Sequence, residues 1–136
     1  MDFAPGQVFR LYCATCKDQK TKYFVVALVN PILRCFLINT SLTDLQKDTP
    51  ELADECVPLL QAQHPFLSYD SYLGCNQLFS EYTARSIEII HSGNAGIHVG
   101  DLHPDAMEEA FRRFPTNVSL PIKRVTELLV EWKVPA

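Results

Sequence analysis

Short apolar stretches separated by turn residues dominate the first two thirds of the chain and predict β-strands. A first strand is predicted over 7–12, directly after the Pro5-Gly6 turn. Two further strands, over 22–30 and 33–39, are rich in β-branched and aromatic residues and form an antiparallel hairpin. Because nearly every position of the hairpin is apolar, we expect it at the centre of a small, curved sheet that is covered on both faces.

The middle of the chain carries weaker strand signals. Residues 40–55 are polar and acidic, which predicts a surface connection with a short helical turn. Additional strands are predicted over 56–61, 71–73, 76–79 and 85–91, and Ser92-Gly93-Asn94-Ala95-Gly96 is the strongest turn signal of the chain.

The last third changes to a helical period. Apolar residues at 106, 107, 110, 111 and 114 share one face of a helix over 103–114, with Pro104 in its first turn and Pro115 at its end. Ser119 is predicted to cap a second amphipathic helix over 120–133, whose apolar positions end at Trp132. The pattern predicts one mainly-β domain over 1–136, with a small antiparallel barrel over about 5–100 followed by two helices.

Composition restricts the classes of function. The 136 residues include 47% hydrophobic positions, so the chain folds, and its net charge of −4 supplies no global positive field for nucleic acid. Any RNA or DNA site must therefore be a local patch. No apolar segment is long enough for a membrane span and no export leader is seen, so we expect a cytoplasmic protein without a membrane partner.

The cysteines point to a reducing environment. Five is an odd number, and without a signal peptide it favours reduced thiols over a disulfide framework. Cys35, Cys56 and Cys75 have apolar neighbours and are predicted to be core residues. Cys13 and Cys16 have the C-x-x-C spacing of a zinc half-site or a redox pair. A zinc site needs a second pair of ligands and a redox motif needs a strand-to-helix context, so a reduced hairpin loop is favoured and no metal site is predicted.

Candidate chemistry is confined to three places, because the signatures of phosphate-binding loops, serine hydrolases and zinc proteases do not occur. The first is a basic cluster that could hold phosphates or could be a solvated loop: Arg10, Lys17, Lys20, Lys22 and Arg34. The second is the polar end of the third strand, Asn39-Thr40-Ser41. The third is the segment from His64 to Asp70, in which Tyr69 could stack on a base and His64 could move a proton, or which simply covers the barrel.

The order of these parts resembles the MazF/PemK family of toxin endoribonucleases. The resemblance rests on the strand after Pro5-Gly6, the basic loop that leads into Lys22-Tyr23-Phe24-Val25-Val26, the strand that ends in Asn39-Thr40-Ser41, and the helix start at Gly100-Asp101-Leu102-His103-Pro104. It covers about residues 5–130 and implies an SH3-like barrel.

The resemblance also implies an activity. Members of the family cleave single-stranded RNA without a metal or cofactor, by attack of the 2′-hydroxyl on the neighbouring phosphorus, and they act as dimers restrained by an antitoxin protein. Lys22 matches the position of the family's arginine, and Thr40 with Ser41 matches its hydroxyl residue. Lysine lacks the bidentate fork of arginine, so Arg10 or Arg34 could substitute for it, and His64 is the candidate acid or base.

Two alternatives remain at this stage. A noncatalytic barrel that binds protein or nucleic acid is favoured by the net negative charge and by lysine at position 22. A toxin similar to the gyrase poisons would use a C-terminal helix that ends near a tryptophan, a place that Trp132 occupies, although its helical spacing first indicates a core or dimer contact.

Overall fold

The computed structural model describes residues 1–17 and 19–133. Its centre is an antiparallel sheet of six strands: β1 (Gln7–Tyr12), β2 (Thr21–Leu28), β3 (Arg34–Asn39), β4 (Cys56–Leu59), β5 (Ser71–Phe79) and β6 (His98–Asp101). The strands are ordered β4-β5-β3-β2-β1-β6, and the sheet curls into a half-barrel. The mainly-β prediction is confirmed, and the apolar hairpin of β2 and β3 occupies the two central places.

Helices fill the connections and follow the sheet. The helices α1 (Asp44–Asp48) and α2 (Pro50–Ala53) join β3 to β4, and α3 (Ala84–Gly93) joins β5 to β6. The helices α4 (Pro104–Arg113) and α5 (Ile122–Glu131) come after β6, as their periodicity predicts. Within the described residues no helix is both long and apolar enough to cross a membrane.

Two sequence predictions about helix positions are wrong. Residues 85–91 were expected as a strand, but they belong to α3, where Thr83 accepts a hydrogen bond from the amide of Ser86 at 3.0 Å and caps the helix. Only Ile87 of this helix is buried. Ser119 was expected to cap the last helix, but Pro121 holds the N-cap position, and the Ser119 hydroxyl donates to the buried carboxylate of Glu55 instead.

Both faces of the sheet are covered. One face, which includes Val25 and Phe36, packs against α4 and α5 through Phe114, Leu128 and Trp132. The other face packs against α3 and the turn after it, through side chains that include Phe24, Leu37, Ile87 and Ile97. Because successive residues of a strand point to opposite faces, β2 and β3 are apolar at nearly every position.

A register shift in the central hairpin is tied to the last helix. The pairing of β2 with β3 shifts between Val26 and Leu28, so Ala27 has no partner residue in β3. The indole Nε1 of Trp132 donates to the Ala27 carbonyl at 2.7 Å. Trp132 is 2% exposed, so it is a core residue, as its helical spacing predicts.

The strands β4 and β6 form the two edges of the sheet. In an antiparallel ladder, hydrogen-bonded residue pairs alternate with pairs that are not hydrogen-bonded. The Glu55 carbonyl accepts a hydrogen bond from the Cys75 amide at 2.9 Å, so the backbone groups of Cys56 and Pro58 point outward, away from β5. Arg113 Nη1 donates to the Cys56 carbonyl at 3.4 Å, so α4 reaches over this edge.

Candidate functional site

An open groove of about 580 Å³ lies beneath the loop between β1 and β2. Its lining consists of Thr15, Cys16, Lys17, Lys22, Gln77 and Phe79. We call it the lysine groove. Lys17 and Lys22, which the sequence analysis grouped as candidate phosphate ligands, therefore do lie on one concave surface. Within the described residues, neither lysine has a carboxylate oxygen within 4.0 Å.

The loop above the groove is held by a disulfide. Cys13 and Cys16 are bonded to each other, which corrects the prediction of reduced thiols at these positions. The physical reason is that the chain reverses between β1 and β2, which brings the two Cα atoms to 5.4 Å, within the span of a disulfide. Cys35, Cys56 and Cys75 are free and buried, as predicted. Burial raises the pKa of Cys35 to about 12.

A carboxylate anchors the same loop from below. Glu81 accepts hydrogen bonds from the Thr15 hydroxyl at 2.6 Å and from the amides of Ala14 and Thr15 at 3.1 and 3.2 Å. Burial by itself raises the pKa of Glu81, but these hydrogen bonds to the ionised form outweigh it and the pKa is lowered. The Tyr82 hydroxyl adds a bond to the Tyr12 carbonyl at 2.6 Å, so the wall of the lysine groove is fixed at both ends.

Lys22 shares its sheet face with Asn39. Lys22 pairs with Leu11 of β1, and Phe24 pairs with Leu37 of β3. Two further residue steps along β2 and β3 align Lys22 with Asn39. A Cβ atom on Gly74 would lie 2.9 Å from Asn39 Nδ2, so the amide leans directly over this glycine. Because side chains alternate between the two faces of a sheet, this alignment places the side chain of Asn39 on the same face as Lys22.

Gln77 enters the groove through an irregularity of β5. Leu37 pairs with Gly74 and Cys35 with Phe79, so β5 spans five residue steps where β3 spans two. The surplus residues bulge out of the ladder, and Gln77 lies at this bulge. The two strands predicted over 71–73 and 76–79 are thus one interrupted strand. No local sequence signal marks Gln77, since its position depends on the pairing of β5 with β3.

The other predicted RNA contacts lie outside the lysine groove. Arg10 is exposed on β1 opposite Tyr23, on the alternate face from Lys22. Tyr69 is 58% exposed, in the loop before β5. Lys20, Thr40 and Ser41 are also exposed and do not line the groove. The structure therefore brings together only Lys17 and Lys22 of the predicted set.

The His64 side chain is buried and bonded to the backbone of the fold. It is fully buried, and its Nε2 accepts a hydrogen bond from the His103 amide at 3.0 Å. Nδ1 lies 2.8 Å from the Leu60 carbonyl, so Nδ1 carries the proton and donates it there. Both ring nitrogens are engaged by backbone groups that fix the approach to α4. This geometry gives no support to the predicted acid or base role of His64.

Arg34 lines a second groove. It begins β3 and pairs with Leu28, at the end of the hairpin opposite to Lys22, so it does not replace Lys22. This second groove, of about 300 Å³, is lined by Arg34, Asn76, Gln77, Leu78, Ser119, Leu120, Pro121 and Arg124. We call it the arginine groove. Gln77 lines both grooves, so the two meet at the bulge of β5.

The described residues contain no group of three or more His, Cys, Asp or Glu side chains that could hold a metal ion. Comparison with family models, with curated proteins and with solved structures finds no match to this chain.

Proposed function

We propose that this chain is an SH3-like barrel of the MazF/PemK type that binds single-stranded RNA in the lysine groove and cleaves it without a metal. The observation that carries the proposal is the convergence of Lys17 and Lys22 on one open groove beneath the first loop. Two cations in a concave surface suit the phosphates of a flexible strand. The groove is also the place where the MazF/PemK resemblance expects the scissile phosphate.

The reaction that fits this site is an internal transesterification. The ribose 2′-oxygen bonds to the neighbouring phosphorus, the bond from phosphorus to the 5′-oxygen breaks, and the products are a 2′,3′-cyclic phosphate and a 5′-hydroxyl. The proton of the 2′-hydroxyl passes to water, and water or the Lys17 ammonium protonates the leaving 5′-oxygen. Lys22 supplies positive charge to the phosphorane oxygens. Gln77 lines the same groove and supplies a neutral donor, whereas Thr40 and Ser41, the hydroxyl residues that the resemblance implies, do not line it.

A specific observation favours RNA binding without cleavage as the second candidate. Among the described residues, the lining of the lysine groove contains no histidine, aspartate or glutamate, the side chains that ordinarily act as general bases. Trp132 does not favour the gyrase-poison alternative, because it is buried and its indole N–H donates to the Ala27 carbonyl.

The proposal includes protein partners. A toxin of this type acts as a homodimer and is restrained by an antitoxin. An acidic segment of that antitoxin would complement Lys17 and Lys22 and would exclude RNA from the lysine groove.

The test is incubation of the protein with a long RNA of mixed sequence in EDTA, with analysis of the product ends. We expect cyclic phosphate ends with the wild type and with Lys47→Ala, a matched control on α1. We expect none with Lys22→Ala at an unchanged melting temperature. Lys22→Arg should cleave faster than the wild type, because its guanidinium contacts two phosphate oxygens.

The outcomes separate the two candidates. Intact RNA together with binding that Lys22→Ala abolishes would establish the noncatalytic alternative and refute cleavage. Neither cleavage nor binding by the folded protein would refute both candidates.

A further inference from the structure

One buried cationic atom has no partner in the fold. Nη1 of Arg34 is inaccessible to solvent and, within the described residues, makes no hydrogen bond. Buried polar groups in folded proteins are nearly always paired, because an unpaired donor loses its water without compensation. The Arg34 side chain lines the arginine groove and forms no ion pair within the described residues, so its positive charge is left for an anion that binds in this groove.

The surroundings of Arg34 favour an anionic ligand. Arg124 lines the same groove from α5, and the side chains of Asn76, Gln77 and Ser119 add neutral polar groups. One nitrogen of Arg124 is bonded to Glu127, which leaves its other nitrogens for a ligand.

The acid that contacts the groove residue Ser119 is already satisfied. The Glu55 carboxylate accepts the Ser119 hydroxyl together with the amides of Val118 and Ser119, at 2.8 and 3.0 Å. Glu55 forms no ion pair with either arginine of the groove within the described part of the chain.

The start of α5 adds a third contribution. Pro121 and Leu120 line the arginine groove, and Pro121 occupies the N-cap without a side-chain hydrogen bond. The amide groups of the first helical turn therefore lack a side-chain acceptor from the cap. The partial positive charge of a helix N-terminus stabilises an anion that approaches it. Arg34, Arg124 and the N-terminus of α5 thus all favour the binding of an anion in the arginine groove.

We infer that the arginine groove binds a second phosphodiester of the RNA strand whose reacting phosphate lies in the lysine groove. Gln77 lines both grooves and makes them one continuous track with two cations on each side of the bulge. A chain with a charge on every nucleotide matches such a track, whereas a single carboxylate of a peptide would fill only one end of it. This inference rests on the proposed function and adds to it a binding role for Arg34 and Arg124.

The test is fluorescence anisotropy of the full-length protein with a labelled RNA oligomer that carries 2′-O-methyl groups throughout, so that cleavage cannot occur. Arg34→Gln should weaken binding about tenfold and lower the slope of log affinity against log salt by about 0.7, the value for one phosphate contact on a single strand. Arg124→Gln should act in the same direction. Lys47→Ala is the control and should match the wild type.

A second ligand separates the two grooves. A 2′-O-methylated dinucleotide, which has a single phosphodiester and can occupy only one groove at a time, should lose less affinity with Arg34→Gln than the longer oligomer does. The melting temperature of Arg34→Gln should equal or exceed that of the wild type, because the change removes an unpaired buried donor.

The inference and the proposed function fail in different ways. If Lys22→Ala weakens oligomer binding while Arg34→Gln and Arg124→Gln bind like the wild type, the arginine groove is not a phosphate site and the proposed function stands. If the arginine variants weaken binding and Lys22→Ala does not, the lysine groove is wrong. If the folded wild type binds neither RNA ligand, both are wrong.

Discussion

Replacement of Trp132 by phenylalanine separates a hydrogen bond from the packing around it. The indole lies against Phe114 at a centroid distance of 5.2 Å and against Phe36 at 6.0 Å, and a phenyl ring retains most of these contacts. What the change removes is the donor to the Ala27 carbonyl. Because the register shift leaves Ala27 without a partner in β3, no neighbouring strand replaces that donor.

The expected loss in the free energy of unfolding follows from two parts. An unpaired buried carbonyl costs about 1–3 kcal/mol. The volume lost between indole and phenyl adds about 1 kcal/mol, because a buried site relaxes only partly around a smaller ring. The sum is about 2–4 kcal/mol, below the roughly 3–5 kcal/mol expected for Trp132→Ala. For a chain of this length the sum corresponds to a decrease of about 6–15 °C in melting temperature.

Urea unfolding followed by far-ultraviolet circular dichroism measures this loss. The chain has one tryptophan, so tryptophan fluorescence cannot follow the Trp132 variants, and circular dichroism serves for all the proteins compared. Phe36→Leu is the matched control, because it alters the same aromatic cluster without touching a hydrogen bond and should cost under about 1.5 kcal/mol. A Trp132→Phe variant that is no less stable than Phe36→Leu would refute the idea that Ala27 depends on the indole.

Three further predictions concern the loop, the thiols and α3. The stability advantage of the wild type over Glu81→Gln should be complete above pH 4.5, the ordinary pKa of glutamate, and should shrink as the pH falls through the lowered pKa of the folded state; pH-dependent thermal melts would contradict this if the difference stayed constant. Iodoacetamide and mass spectrometry should find no labelled cysteine in the native protein and all five after reduction and unfolding, since three thiols are buried and two form the disulfide; labelling of native Cys35 would show that its site opens. Ile87→Ala should cost about 2–5 kcal/mol by urea unfolding, whereas the exposed Ile89→Ala should cost under about 1 kcal/mol; equal costs would mean that α3 is placed with a different face inward.

The sequence predicted those strands and helices whose spacing of apolar residues agrees with their burial in the fold. The strand β1 has its predicted bounds, and β2 with β3 is central because nearly every side chain of the hairpin can be buried. The helix α4 follows from its 3.6-residue period and its terminal charges. In these segments local preference and tertiary environment agree.

The helix α3 was missed because its composition and its environment disagree. Ile87, Ile89 and Ile90 favour a strand by propensity, yet only Ile87 is buried while Ile89 is 57% exposed. The Thr83 cap and the single anchor at Ile87 override that preference. Strand β6 was missed for another reason: it has four residues and includes Gly100, whose φ of 157° and close approach to the Phe66 ring depend on the rest of the fold.

The candidate site shows the same division. Lys17 and Lys22 could be grouped from the sequence because Lys17 lies in the loop before β2 and Lys22 is the second residue of that strand. Asn39 depends on the register between strands, and Gln77 depends on a bulge, so neither can be identified from residue type or spacing. The disulfide could not be predicted either, since C-x-x-C spacing fits several states and only the reversal of the chain selects one.

The β4 edge limits how another chain can attach to this protein. A peptide that adds itself as a further strand needs free amides and carbonyls along the receiving edge. On β4 the outward carbonyl of Cys56 is occupied by Arg113, and Pro58 has no amide to offer. An incoming strand therefore cannot extend the sheet along β4, and self-association into extended sheets is blocked there as well. A second chain that binds by strand addition would have to approach from the β6 side.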